Sequence, residues 1–256
     1  MSKSFHPQAF KIRHLDSEAP WRWLMAGWRD FVRAPRVSVS YGAVFTVVGY
    51  FTGVNVFNYN IYYLLLPLAA GFMLMGPLLG VGLYDISRRH ERGEKATLFL
   101  ALTAWRKNLG QIALMGMALM LFMLAWIRIA TLIYALFFVE TAHTLDEFVA
   151  GTLLSEASLP FLVLGTAVGG ILAMGVFSIS AISVPMLMDR DIDVLSAILT
   201  SVRSVIENWK VMWGWACLIV LFIGAGLATF CIGLMVTMPL IGYASWHAYR
   251  DLLPPE

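Results

Sequence analysis

Six apolar stretches divide this chain, and nearly every lysine and arginine falls in segments that a membrane would keep on one side of them. The stretches cover residues 37–57, 61–84, 109–139, 159–188, 211–229 and 230–247. Crossing about 30 Å of hydrocarbon takes roughly 20 helical residues, so each stretch fits one crossing. Only 13% of residues are charged and 59% are hydrophobic, too few charges to clothe a water-soluble domain of this length. In hydrocarbon a helix satisfies its own backbone hydrogen bonds, so the expected fold class is all-α, a polytopic bundle of six spans. Residues 211–247 contain no polar break. They form either two spans joined by a tight apolar turn near residues 226–233 or a single re-entrant hairpin.

The basic residues assign the sides. Seven precede the first span (Lys3, Lys11, Arg13, Arg22, Arg29, Arg33, Arg36), and six follow the second (Arg88, Arg89, Arg92, Lys95, Arg106, Lys107). Arg190, Arg203 and Lys210 follow the fourth span and Arg250 follows the sixth, whereas the opposite loops hold Glu140, Asp146, Glu147 and Glu156. The positive-inside bias then places both termini in the cytoplasm. The expected organisation is a cytoplasmic tail over residues 1–36, a transmembrane domain over 37–247 and a short cytoplasmic tail over 248–256. The charge split implies contact with anionic lipid head groups and gives no indication of nucleic acid. The first thirty residues lack a continuous apolar core before a small-residue site, so no cleavable signal peptide is expected. Cys217 and Cys231 lie in apolar stretches and read as small packed hydrophobes.

A unit recurs along the chain. The second span ends in Pro77, Gly80, Tyr84 and Arg88, and the sixth in Pro239, Gly242, Trp246 and Arg250, at identical spacing; Pro185, Asp189 and Arg190 form a degenerate copy in the fourth. An amphipathic segment precedes each odd-numbered span. Residues 20–33 place Trp21, Leu24, Met25, Trp28 and Val32 on one face. Residues 194–207 place Val194, Ile198, Val202 and Val205 on a stripe opposite Ser196, Thr200, Arg203 and Glu207. Residues 95–107 do the same with Leu98, Leu102 and Trp105. Such segments suit the interface plane, with Trp21, Trp28, Trp105, Trp209 and Trp246 as candidate anchors. The chain thus reads as three repeats of interfacial helix, span out and span back, which suggests a pseudo-threefold arrangement.

Few residues carry candidate chemistry. Arg128 is the one ionisable residue well inside a predicted span. It either snorkels toward the outer head groups beside Trp126 and Tyr134 or contacts a lipid phosphate or a partner carboxylate. No span centre holds Asp, Glu, Lys or His, which argues against a proton relay. Asp189, Asp191 and Asp193 resemble a calcium loop but lack its glycine and terminal glutamate, so helix capping is the better reading. Glu140, His143 and Glu147 could share a helix face, yet one histidine with two carboxylates is a weak metal signal. Pro77, Pro185 and Pro239 are candidate kinks, and Gly80 and Gly242 candidate close-packing sites. Gly76 with Gly80, and Gly165 with Gly169, have the same small-residue spacing. No catalytic, metal or cofactor site is expected.

A resemblance can be stated on four motifs: Pro20, Trp21, Trp23, Leu24, Gly27, Trp28 and Asp30; Ser40, Tyr41, Gly42 and Phe45; Pro185, Leu187, Asp189, Arg190 and Asp191; and Pro239, Leu240, Gly242, Trp246, His247, Tyr249 and Arg250. Together they resemble a bacterial integral-membrane family of unknown function, commonest in proteobacteria, some of whose members carry labels tying them to cytochrome c oxidase subunit I. The resemblance implies a bacterial inner-membrane location. A haem-copper subunit needs about six intramembrane histidine ligands, but this chain has five histidines in all, none at a span centre. The expected function is therefore a non-enzymatic scaffold: an accessory subunit or assembly factor of a larger complex, with a membrane-protein partner or a second copy. A lipid or small-solute transporter or channel is the alternative.

Overall fold

The computed structural model describes residues 10–138 and 145–254. Among these there is no strand, and twelve α-helices follow in order: α1 (Ala19–Arg33), α2 (Pro35–Asn58), α3 (Leu65–Leu79), α4 (Val81–Glu91), α5 (Leu98–Leu102), α6 (Leu109–Phe137), α7 (Leu145–Phe148), α8 (Ser158–Ser180), α9 (Ser183–Asp189), α10 (Val194–Glu207), α11 (Trp209–Ala228) and α12 (Leu234–Leu252). Five helical stretches are long and apolar enough to cross a membrane: Pro35–Asn58, Tyr62–Glu91, Ala104–Phe137, Ser158–Asp189 and Trp209–Ala228. The sixth predicted span corresponds to α12, which differs from the others. Its first half is apolar, its second half carries His247, Arg250 and Asp251, and twelve of its nineteen residues are buried.

Burial of α12 makes it the post around which the bundle is built: α1, α2, α4 and α11 all pack on it. Two glycines permit the closest approaches. A methyl group on Gly42 of α2 would lie 2.6 Å from the carbonyl oxygen of Met235, and one on Gly27 of α1 would lie 2.8 Å from the amide nitrogen of Ala244. Pro239 has no N–H to offer its i−4 carbonyl, which is that of Met235. The backbone of α2 therefore seats where the α12 ladder is already open. Residues Phe230 and Cys231 turn the chain from α11 into α12 with φ of 53° and 65°, a left-handed conformation that costs non-glycine residues about 1–2 kcal/mol each.

Two of the spans are broken, and each break is repaired from a neighbouring helix. Between α3 and α4 the amide of Leu83 bonds back to Gly80 rather than Leu79, and the hydroxyl of Tyr41 donates to the carbonyl of Leu79 at 2.8 Å. Pro77 lies in the last turn before that break. Between α8 and α9 the break falls at Ala181 and Ile182, where the ring of Pro185 crowds the i−4 carbonyl. There Ser201 of α10, fully buried, donates to the carbonyl of Ser178 at 2.7 Å and accepts from the amide of Ile182 at 3.2 Å. Side-chain hydroxyls that satisfy the backbone groups left open where the ladder breaks are what make such breaks tolerable in lipid.

Helix α10 differs from its sequence reading. Ser196, Thr200, Ser201 and Ser204 are buried against the bundle, whereas Leu195, Leu199 and Ile206 are exposed. Against lipid the outward face is the apolar one, and the hydroxyl face can pack inward because Ser204 and Thr200 bond their own i−4 carbonyls. Asp193 caps α10 through the amide of Ser196 at 2.9 Å, as the capping reading of that acidic run expects.

Candidate functional site

The positively charged end of the bundle is closed by a cap of paired charges centred on two buried carboxylates. Asp30 sits on the packed face of α1, between Gly27 and Phe31. Its Oδ1 accepts from His90 Nδ1 at 2.9 Å, and its Oδ2 accepts from His247 Nε2 at 2.8 Å and from Ser87 Oγ at 2.6 Å. A carboxylate accepts only, so both imidazoles donate to it. Burial pushes the Asp30 carboxyl up, but the hydrogen bonds from His247, His90 and Ser87 outweigh it and hold the group well below the usual carboxylate range. One residue of α1 thereby fastens the ends of α4 and α12. Asp85, with no exposed surface, accepts from Arg88 at 3.0 Å, Arg89 at 2.8 Å and Lys107.

The rest of the cap extends this network. Trp246 Nε1 donates to Glu91 at 2.9 Å, and Arg250 pairs with Glu91 at 3.2 Å and with Asp189 at 3.5 Å. Tyr249 donates to Asp189 at 2.9 Å, and Trp23 Nε1 donates to Asp251 at 3.1 Å. Arg190 bonds the C-terminal carbonyls of Leu253 and Pro254, while Asn208 ties down the chain at Arg13 and Leu15. The N-terminal segment, three connecting segments and the C-terminus thus form one hydrogen-bonded lid.

On the membrane side of this cap lies a cavity of about 830 Å³ between α3, α6, α8, α11 and α12. It runs from Tyr134 and Phe161 near one end of the spans to Tyr84 and Ser245 near the cap, and no charged residue lines it. The wall formed by α8 is lightly held: only Ser158, Val176 and Ser180 of that helix are buried. Helix α8 packs mainly on α6 and α10, and α11 mainly on α12, which leaves a seam between α8 and α11. Gly165 and Gly76, spaced in the sequence for close helix contact, meet no atom within 4 Å of a built Cβ and instead widen the cavity. Gly169 does pack closely, against the ring of Trp126.

The other sequence candidates are dispersed. Arg128 is exposed on the outside of α6 and has no hydrogen bond or ion pair among the described residues. Its stem can run along the helix toward the head groups. Gly242 faces Leu83 of α4, and Gly80 lies under the ring of Tyr84. Trp21, Trp28, Trp105 and Trp209 are 41–62% exposed at the cap end. Trp246 is not an interfacial anchor: it is completely buried, because α12 is enclosed by the other helices, and it joins helix to helix. Glu140 and His143 lie outside the described residues. Sequence reasoning missed Asp30, Asp85, His90 and His247 as a site.

Residues 65–189, from the second membrane-crossing helix through the fourth, match the family described as "Predicted integral membrane protein (DUF2189)". The match includes Tyr84, Asp85 and His90 but not Asp30 or His247. No curated protein and no solved structure matches the chain. With five long apolar helices and this similarity, the chain is an integral multi-pass membrane protein.

Proposed function

We propose that the protein binds a lipid or comparably apolar molecule inside the membrane. It does so as a non-enzymatic, six-span protein of the bacterial inner membrane with both termini cytoplasmic. In this reading α12 is the sixth crossing and the chain is three repeats of an interfacial helix and a helical hairpin. The cavity carries the proposal. Membrane helices associate through close packing, and a void of this size forfeits dispersion contacts along its whole lining. An uncharged lining excludes a hydrated ion, and apolar cavities favour hydrocarbon over water. The volume falls in the range of about 300–1,000 Å³ common to small-molecule sites. Exposed Trp21, Met25, Trp28 and Val32 on α1, beside Arg22 and Arg29, would bed the cap among anionic head groups.

The test is to block the cavity. Gly165→Trp places an indole in open space, so it should preserve folding while abolishing lipid retained through mild-detergent purification, read by native mass spectrometry. Retention of the same lipid by the variant would defeat the reading. A scaffold role is the second reading, favoured by the single rigid cap with exposed apolar stripes on α1 and α10. It requires a stoichiometric membrane-protein companion or a second copy to co-purify.

A further inference from the structure

The cavity is not uniformly apolar, and its polarity is concentrated beneath the cap. Tyr84 is 3% exposed and lies on the lining, yet its hydroxyl has no hydrogen-bond partner among the described residues. The hydroxyl is not sealed within protein but opens onto the cavity, and a donor left unpaired in an apolar space costs about 1–3 kcal/mol. Natural structures seldom carry that cost without a ligand, a water or a functional reason. The local sequence aims the group there. On a helix the side chain leans toward the N-terminus and over residue i−4, which for Tyr84 is Gly80. A Cβ at Gly80 would lie 2.8 Å from the phenolic oxygen, so only glycine leaves the ring its place. Trp215, 1% exposed and on the same lining, likewise has no partner for its Nε1.

The two serine hydroxyls near this end are already used. Ser245 donates to the carbonyl of Ile241 at 2.8 Å and Ser180 to that of Val176 at 2.6 Å. Tyr134, also without a partner, sits at the opposite end among Tyr63, Phe138 and Phe161. Beneath the cap the cavity therefore offers the phenol O–H of Tyr84 and the indole N–H groups of Trp213 and Trp215, with no cation to neutralise a phosphate and no carboxylate to hold an amine.

Resting on the lipid-binding reading above, we infer that the ligand is a neutral lipid whose head presents a carbonyl acceptor, that Tyr84 donates to this carbonyl, and that the hydrocarbon tail runs along the cavity toward Phe161. Two membrane molecules share this chemistry, a fatty ester and a prenyl quinone. A charged phospholipid head is excluded from this end by the uncharged lining and remains outside the seam.

Three probes with a diazirine in the tail separate the possibilities: an alkane without a carbonyl, a fatty-acid methyl ester, and a prenyl benzoquinone. Each is titrated into the protein in phosphatidylglycerol nanodiscs, photolysed, and mapped by peptide mass spectrometry. Labelling of the lining is expected with the ester, the quinone or both. Tyr84→Phe should raise the half-saturating concentration of that probe about three- to tenfold, the worth of one neutral hydrogen bond, with the alkane unmoved; the probe that shifts identifies the source. If Tyr84→Phe keeps the wild-type melting temperature and all three probes label it as they label wild type, the Tyr84 assignment is overturned while the cavity reading stands. If no probe labels the lining of the wild type, both fall together.

Discussion

Replacing Asp30 with alanine should lower the unfolding free energy by about 3–5 kcal/mol, because hydrogen bonds to a charged group contribute about 1.5–3 kcal/mol each and this carboxylate accepts three. The carboxylate is the shared acceptor for His90, His247 and Ser87, so its removal strands three donors at once and detaches α1 from the ends of α4 and α12. The pH dependence follows from the depressed carboxyl. A group titrating lower in the folded protein than its ordinary value of 3.8 contributes stability that is fully present above that value. The contribution is lost as pH falls through the folded-state value. Thermal melts in detergent should show the full gap between wild type and Asp30→Ala at pH 5 to 7. The gap should narrow only below about pH 4. An equal gap at pH 3, or none at pH 7, would show that Asp30 does not hold the cap.

Gly42→Val should be nearly as damaging, at about 3 kcal/mol, because the added atoms meet backbone rather than a side chain that can rotate away. The built Cβ is 2.6 Å from both the Cα and the carbonyl oxygen of Met235. To accommodate it, α2 must leave α12 at the point where Pro239 has opened the ladder. Gly53 lies on the same helix with nothing within 4 Å of a built Cβ. Gly53→Val should therefore leave the melting temperature unchanged, and equal loss in the two variants would count against the α2–α12 seat.

The helices were legible because hydrocarbon demands long apolar runs, and α2, α6, α8 and α11 fall close to where those runs predict them. The breaks were partly legible: proline marks them, but the hydroxyls of Tyr41 and Ser201 that mend them lie far away in sequence. The cap was hidden for the same reason. Asp30 is separated by 60 residues from His90 and by 217 from His247, and each is an unremarkable polar residue in a charged segment. One local signal existed. Trp23, Leu24, Gly27, Asp30 and Phe31 share one face of α1, and a carboxylate on such a face needs partners. The orientation of α10 was misjudged because a serine stripe reads as solvent-facing in water but can be the packing face in lipid. The glycines of α8 and α3 announce that something comes close, without distinguishing a neighbouring helix from a ligand.

A cryo-electron microscopy map of the protein in lipid nanodiscs, at a resolution that shows side chains, tests the lipid-binding account most directly. Continuous elongated density should fill the space between α8 and α11 and end beside the hydroxyl of Tyr84. A map in which α8 has closed against α11, with side chains filling that space and no extra density, would contradict it.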